Sequence, residues 1–304
     1  MSILNRPSDG LASVLVALVR SSVMLGTMPK SKLLDVCCPK TLGDGKQDMA
    51  IKTLNRWTEL GLFVVTEKED VKVIDEYRAS IRKLNASTSS ISDAARQVVL
   101  SSENNKNFWS DEENRSADFS RAACWILAQD VHAFAPTSYT QVEQKALEQA
   151  GSPPKVILFQ NDTRWSGFVS WATFLGLGRS DSGKASGGFI ADPTPWICGP
   201  ATTLLPPKND MPISEFLDGL AEAVPILDGG RFRAEVESKL CPEKWKAPDS
   251  DAISTSLSRA LLRLQARGIL RFANRSDSES RINLIGRAGR TVQSVTHVLL
   301  GDAK

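Results

Sequence analysis

The sequence predicts a mainly α-helical protein with small β-hairpins (α+β), arranged as tandem copies of one helix-then-hairpin unit. Three observations predict it. Apolar residues recur at helical spacing and the run stops at a glycine. Short β-rich stretches follow that glycine, and the same order occurs at both ends of the chain. Hydrophobic residues make up 41% and charged residues 24% of 304 positions, the balance of a globular protein. That length suits roughly two or three domains.

The C-terminal copy is the clearest. Leu257, Leu261 and Leu264 fall at i, i+4 and i+7, on one face of a helix. Gly268 stands where a left-handed C-cap is needed, a conformation that glycine takes without steric cost. Residues 269–272 and 281–285 then read as two strands joined by a polar loop. This is the layout of a winged helix. Upstream, residues 212–227 and 231–240 are predicted helices with a turn at Gly229 and Gly230.

The N-terminal copy follows the same grammar. Residues 11–24 form a helix opened by Ser8 or Asp9 and closed at Gly26. A second helix over 30–37 is fenced by Pro29 and Pro39. A third runs from 46 to 60, burying Ile51, Leu54 and Trp57 and stopping at Gly61. Strands at 62–66 and 71–74 flank the acidic Glu67-Lys68-Glu69-Asp70 turn.

Between the two copies, residues 76–100 are predicted helical with a break in the Ser/Thr-rich stretch 87–92. Residues 101–116 form a polar loop carrying Phe108 and Trp109. Helices are predicted over 117–133 and 139–149, and the Asn161-Asp162-Thr163 cluster caps another that runs to Leu175. Aligning Gly61, Gly176 and Gly268 places Leu54, Val169 and Leu261 seven residues upstream, and Trp57, Ala172 and Leu264 four upstream. The middle segment, with strand-like residues 188–191, is therefore a candidate third copy. Pro193, Pro195, Pro200, Pro206 and Pro207 mark an extended connector containing Trp196. The expected domains are 1–76 (winged helix), 77–207 (helical middle) and 208–304 (winged helix).

Net charge is only +2, so affinity for nucleic acid has to come from local patches. Residues 254–300 supply one: Arg259, Arg263, Arg267, Arg271, Arg275, Arg281, Arg287 and Arg290 against Asp277 and Glu279. A recognition helix meets base edges in the major groove while the wing touches phosphates. The C-terminal candidates are Ser254, Ser256, Arg259 and Arg263 on the helix, with Arg271, Arg275 and Arg281 on the wing. The N-terminal candidates are Lys46, Gln47, Lys52, Asn55 and Arg56, diluted by Asp44, Asp48 and Glu59. Arginine bonds guanine through two atoms, and Gln or Asn does so for adenine, so the chemistry suits double-stranded DNA. Two functions follow: a non-enzymatic DNA-binding protein, or a protein-binding adaptor subunit of a larger complex such as an ATPase-containing assembly. Exposed helix faces are charged in any soluble protein, and winged helices also serve as protein-binding modules.

Other chemistries find little support. Residues 178–184 match the first seven positions of a phosphate-binding P-loop, but Ala185 stands where Ser or Thr must hold magnesium. His132 and His297 are far apart in apolar contexts. No catalytic, cofactor-binding or metal-ligating residue is assigned. The five cysteines, Cys37 and Cys38 adjacent, show no C-x-x-C spacing and fit a reducing cytoplasm. The apolar run 11–19 reads as a buried helix, and no stretch is long enough to cross a membrane. Trp109, Trp125, Trp165, Trp171 and Trp196 crowd the middle third. Trp125 and Trp171 have apolar helical neighbours and are expected in the core.

The outer segments resemble the winged helix-turn-helix superfamily, a scaffold with many functions. The opening Ile3-Leu4-Asn5-Arg6-Pro7-Ser8-Asp9-Gly10-Leu11 is similar to the start of the DpdG family. Those proteins belong to bacterial gene clusters that insert deazaguanine bases into DNA and restrict unmodified DNA, a phage defence. The resemblance implies a cytosolic accessory subunit working beside other proteins of such a system. It carries over no catalytic residues.

Overall fold

A computed structural model describes residues 2–4, 12–110, 115–150, 158–180, 188–207, 209–276, 278 and 280–301, apart from the side chains of Leu42, Asp44 and Lys46. The expected caps Ser8 and Asp9, and the P-loop-like positions from 181 onward, lie outside the described residues. In chain order the first elements are α1 (Ala12–Leu25), β1 (Met28–Pro29), α2 (Lys30–Cys37), α3 (Asp44–Glu59), β2 (Phe63–Val65) and β3 (Asp70–Val73). Five helices follow: α4 (Asp75–Lys83), α5 (Thr88–Leu100), α6 (Ala117–Leu127), α7 (Tyr139–Ala150) and α8 (Asp162–Phe174). Next come β4 (Gly178–Ser180), β5 (Phe189–Ala191), α9 (Thr194–Leu204), β6 (Met211–Pro212), α10 (Ile213–Ala223) and α11 (Arg231–Glu237). The last are β7 (Ala252–Ile253), α12 (Thr255–Ala266), β8 (Leu270–Ala273), β9 (Ile282–Ile285), β10 (Thr291–Val295) and β11 (His297–Leu300). The chain is thus a mixed, mainly helical protein with small sheets.

It divides into two compact units that interleave in sequence. The first holds Met1–Ser120 and Asn161–Leu175, the second Arg121–Gln160 and Gly176–Lys304. The helix α8 therefore belongs to the first unit and the β4–β5 hairpin to the second.

In the first unit, β1, β3 and β2 form an antiparallel sheet with Met28 opposite Val71 and Phe63 opposite Val73. The α3 helix ends as the sequence demands. Gly61 takes φ +91°, and the Leu62 N–H returns to the Trp57 carbonyl at 2.8 Å. Trp57 is fully buried, and its ring lies 5.4 Å from that of Trp171 on α8. Asn161 caps α8, its side chain accepting from the Arg164 N–H. The break expected at 87–92 falls just earlier, where Ser87 caps α5 by accepting from the Ser90 N–H. The polar loop after α5 is anchored rather than free: buried Asn104 and Asn105 donate to the carbonyls of Leu60, Val98, Val99 and Ser101.

The second unit corrects two expectations. Residues 269–272 and 281–285 are strands, but they do not pair with each other. β8 pairs with β11, Leu270 opposite Leu300, while β9 pairs with β10, Ile282 opposite Val295. β8 and β9 thus lie along one arm of a long ribbon, β10 and β11 along the other, and the ribbon turns at residues 286–290. The sequence reading stopped at the first polar loop because strands β10 and β11 carry a mixed, weakly alternating pattern. The proline-rich connector is the second correction, since residues 194–204 form α9. Pro195 occupies the first turn, where a missing N–H costs nothing, and Trp196, Ile197 and Ala201 are buried. Burial outweighs Pro200 inside the helix.

Two of the sheets, β1-β3-β2 and β6-β11-β8, share a repeat that the glycine alignment did not include. Met28-Pro29-Lys30-Ser31-Lys32-Leu33-Leu34-Asp35 and Met211-Pro212-Ile213-Ser214-Glu215-Phe216-Leu217-Asp218 agree at Met, Pro, Ser, Leu and Asp. Each Met-Pro pair is a two-residue edge strand, β1 or β6, antiparallel to the last strand of its sheet. An edge position tolerates a residue without an N–H. Pro29 and Pro212 both have φ −52°, with ψ 139° and 138°, and each launches the following helix, α2 or α10.

Candidate nucleic-acid interface

The helix α12 is built from its cap outward. Ser254 accepts from the Leu257 N–H at 3.3 Å, and Gly268 closes the far end with φ +69°. Leu257, Ala260, Leu261 and Leu264 are buried. Arg259, Arg263 and Arg267 follow at i, i+4 and i+8, one stripe along the helix away from those leucines.

A fourth guanidinium joins them from β4. Burial and then the nearby Arg179 hold the Arg259 guanidinium below its usual range. Burial, Arg179 and Arg267 do the same for Arg263. Like charges gathered in this way raise each other's free energy, and an anion placed among them relieves that cost. Asp192, just after β5, pairs with Arg263. Sequence reasoning missed Arg179, because it lies far from α12 along the chain and carries no local signal.

Ser254 and Ser256 are corrections: they are not on the exposed face. Both are buried. Ser254 donates through its backbone N–H and hydroxyl to Asp228, at 2.8 and 2.7 Å, and Ser256 donates to the Leu127 carbonyl at 2.7 Å. Their hydroxyls anchor the start of α12 within its own unit.

On the ribbon, Arg271 and Arg281 are exposed, while Arg275 is held by Asp210 at 2.6 Å through two nitrogens. The turn adds Arg287 and Arg290, both exposed, bracketing Ala288 (φ 57°) and Gly289 (φ 72°). The Gly286-Arg-Ala-Gly289 spacing was a readable turn signal for these two arginines.

The N-terminal candidates are distributed differently. Lys52 and Asn55 are exposed on α3, and Asn55 accepts from Lys30 Nζ at 3.0 Å. Gln47 donates to Asp35 at 3.1 Å. The Lys46 side chain lies outside the described residues. Arg56 is a correction, for it is 2% exposed and donates to the Ile3 carbonyl at 3.5 Å. The residues that open the chain cover this part of α3. The β2–β3 turn keeps its acidic run, with Glu69 at φ 60°.

Trp125, Trp165, Trp171 and Trp196 are all buried, as core packing requires. Trp125 Nε1 donates to Gln149 Oε1 at 2.8 Å, so its polar edge is satisfied.

The family comparison spans both units. Residues 1–278 match the DpdG-like family. The chain belongs to the DpdG-like family. Membership associates it with a DNA-modification system, and so with a multi-protein system. Of the opening motif that resembles this family, Ile3 and Leu4 are buried, while positions 5–11 lie outside the described residues. No curated protein and no solved structure matches the chain. Among the described residues no helix is long and apolar enough to cross a membrane, and no group of three His, Cys, Asp or Glu side chains is placed to hold a metal ion.

Proposed function

We propose that this DpdG-like protein is a non-enzymatic, cytoplasmic DNA-binding subunit, with winged-helix modules at both ends. It acts as a regulator or as the DNA-facing accessory of a bacterial modification and restriction system that defends against phage. The observation that carries this is the arginine stripe of α12, three guanidinium groups in register with Arg179 beside them and Asp192 paired to one. Such a stripe suits phosphates and guanine edges in a major groove. The exposed ribbon arginines Arg271, Arg281, Arg287 and Arg290 then serve as the wing.

The test is binding to a labelled duplex across a salt series. Changing Arg259 and Arg263 to Ala should flatten the slope of log K against log salt by about 0.9 for each lost phosphate contact. A wild-type protein that binds no duplex at low salt sinks the reading.

A second reading concerns the N-terminal module alone. Its β2–β3 turn is acidic, Arg56 is covered, and Met24, Leu25 and Val36 are exposed. That surface suits a protein neighbour better than a phosphate chain, so the adaptor role fits this end.

A further inference from the structure

The second unit holds another feature beside α12 that the α12 stripe does not by itself explain, the β4–β5 hairpin. The ribbon and this hairpin each contact α12, on opposite flanks of the helix. On one flank, Ser258 Oγ accepts from the Ile285 N–H of β9 at 2.8 Å. On the other, Arg263 pairs with Asp192, the residue that follows β5. With about 100° per residue, positions 258 and 263 point roughly 140° apart around the helix. The outward face between them carries Arg259, Leu262 and the exposed Ala266. The long ribbon therefore stands along one side of that face and the short hairpin along the other.

The hairpin presents a cation to that face. Arg179 is the central residue of β4, opposite Ile190, and is exposed. Gly178 cannot be replaced beside it without conflict, since an added Cβ would lie 2.4 Å from the Phe189 ring. Phe189 in turn is buried, and its N–H donates to the Pro136 carbonyl at 2.9 Å. The short hairpin is anchored through Phe189 and by the Asp192–Arg263 pair, which hold Arg179 near Arg259 and Arg263.

A helix in the major groove has a sugar–phosphate chain on each side, about 12 Å apart. We propose that the β4–β5 hairpin is a second wing: with α12 in the groove, Arg179 holds one rim while the ribbon arginines Arg271 and Arg281 hold the other. This rests on the DNA-binding reading of α12, and the ligand is duplex DNA gripped from both rims.

The experiment is hydroxyl-radical footprinting of a bound duplex, with salt-dependent affinities, for wild type, Arg179→Ala and Arg179→Lys. Wild type should protect two backbone tracts that flank one major-groove segment. Arg179→Ala should lose one tract, keep the other, and reduce the salt slope by about 0.9. Arg179→Lys should restore most of the slope, because one positive charge returns. If wild type binds but Arg179→Ala leaves both tracts and the slope unchanged, the second wing is overturned while the α12 reading stands. If wild type protects no duplex, both fall together.

Discussion

Arg56 and Arg263 each stand five residues before a helix-ending glycine, Gly61 and Gly268, yet they have opposite surroundings. Arg263 is part-exposed on α12 with Arg179 and Arg267 around it. Arg56 is buried on α3 and donates to the backbone of Ile3. On α12 this position pairs with Asp192 and stays part-exposed, and on α3 it is covered by Ile3.

Arg56 should therefore matter to stability and not to DNA. Arg56→Ala strips a buried carbonyl of its donor, a loss of about 1–3 kcal/mol. Urea denaturation checks this, and duplex affinity measured on the folded protein should be unchanged. A fall in affinity without a fall in stability would place Arg56 in the interface.

Ser254 is a cap in the structure. Ser254→Ala removes the Leu257 acceptor and the hydroxyl bond to Asp228, with an expected cost of about 1–2 kcal/mol. Ser254→Asp would keep a capping acceptor but set it against Asp228, and should recover little. Thermal unfolding of the two variants separates the cap from the Asp228 contact.

Trp57 and Trp171 are coupled across the first unit. Each change to Ala should cost about 3–5 kcal/mol. In a double-mutant cycle the pair should show a coupling of about 0.5–1.5 kcal/mol, because their rings are 5.4 Å apart. Additive losses would mean that α8 is held by other contacts.

Cysteine reactivity should divide the thiols. Cys124 is fully buried, and burial pushes its thiol far above the ordinary range, so the reactive thiolate is scarce. Cys37, Cys38, Cys198 and Cys241 are part-exposed. A disulfide reagent at neutral pH should modify Cys124 only after denaturant is added, and mass spectrometry identifies the site. For Cys37, burial also raises the pKa, so its labelling should be slow and should quicken as the pH is raised.

Much of the helical framework was legible because local chemistry decided it. The helices α3, α8 and α12 each combine an apolar stripe, a capping residue or a terminal glycine, and their ends fell within two residues of expectation. What escaped depended on partners distant in sequence. β8 and β9 were recognised as strands, but their pairing with β11 and β10 is a long-range choice. Ser256 and Arg56 looked like surface residues because their covering groups, Leu127 and Ile3, lie elsewhere in the chain. Arg179 joins α12 only through tertiary placement. The α9 helix shows the converse, with burial of Trp196 and Ile197 prevailing over a local excess of proline. The Met-Pro-x-Ser repeat was legible in principle, and it marks an edge strand in two of the sheets, β1-β3-β2 and β6-β11-β8.

The interleaving of the two units sets a timetable for synthesis. The ring of Trp171 that meets Trp57 arrives only after residues 121–160 have left the ribosome, although those belong to the other unit. At roughly 5–20 residues per second, the nascent first unit waits about 3–10 seconds with that tryptophan face uncovered. During that interval the emerging chain is exposed to chaperones, and a pause placed before α8 would lengthen the delay without altering a single side chain.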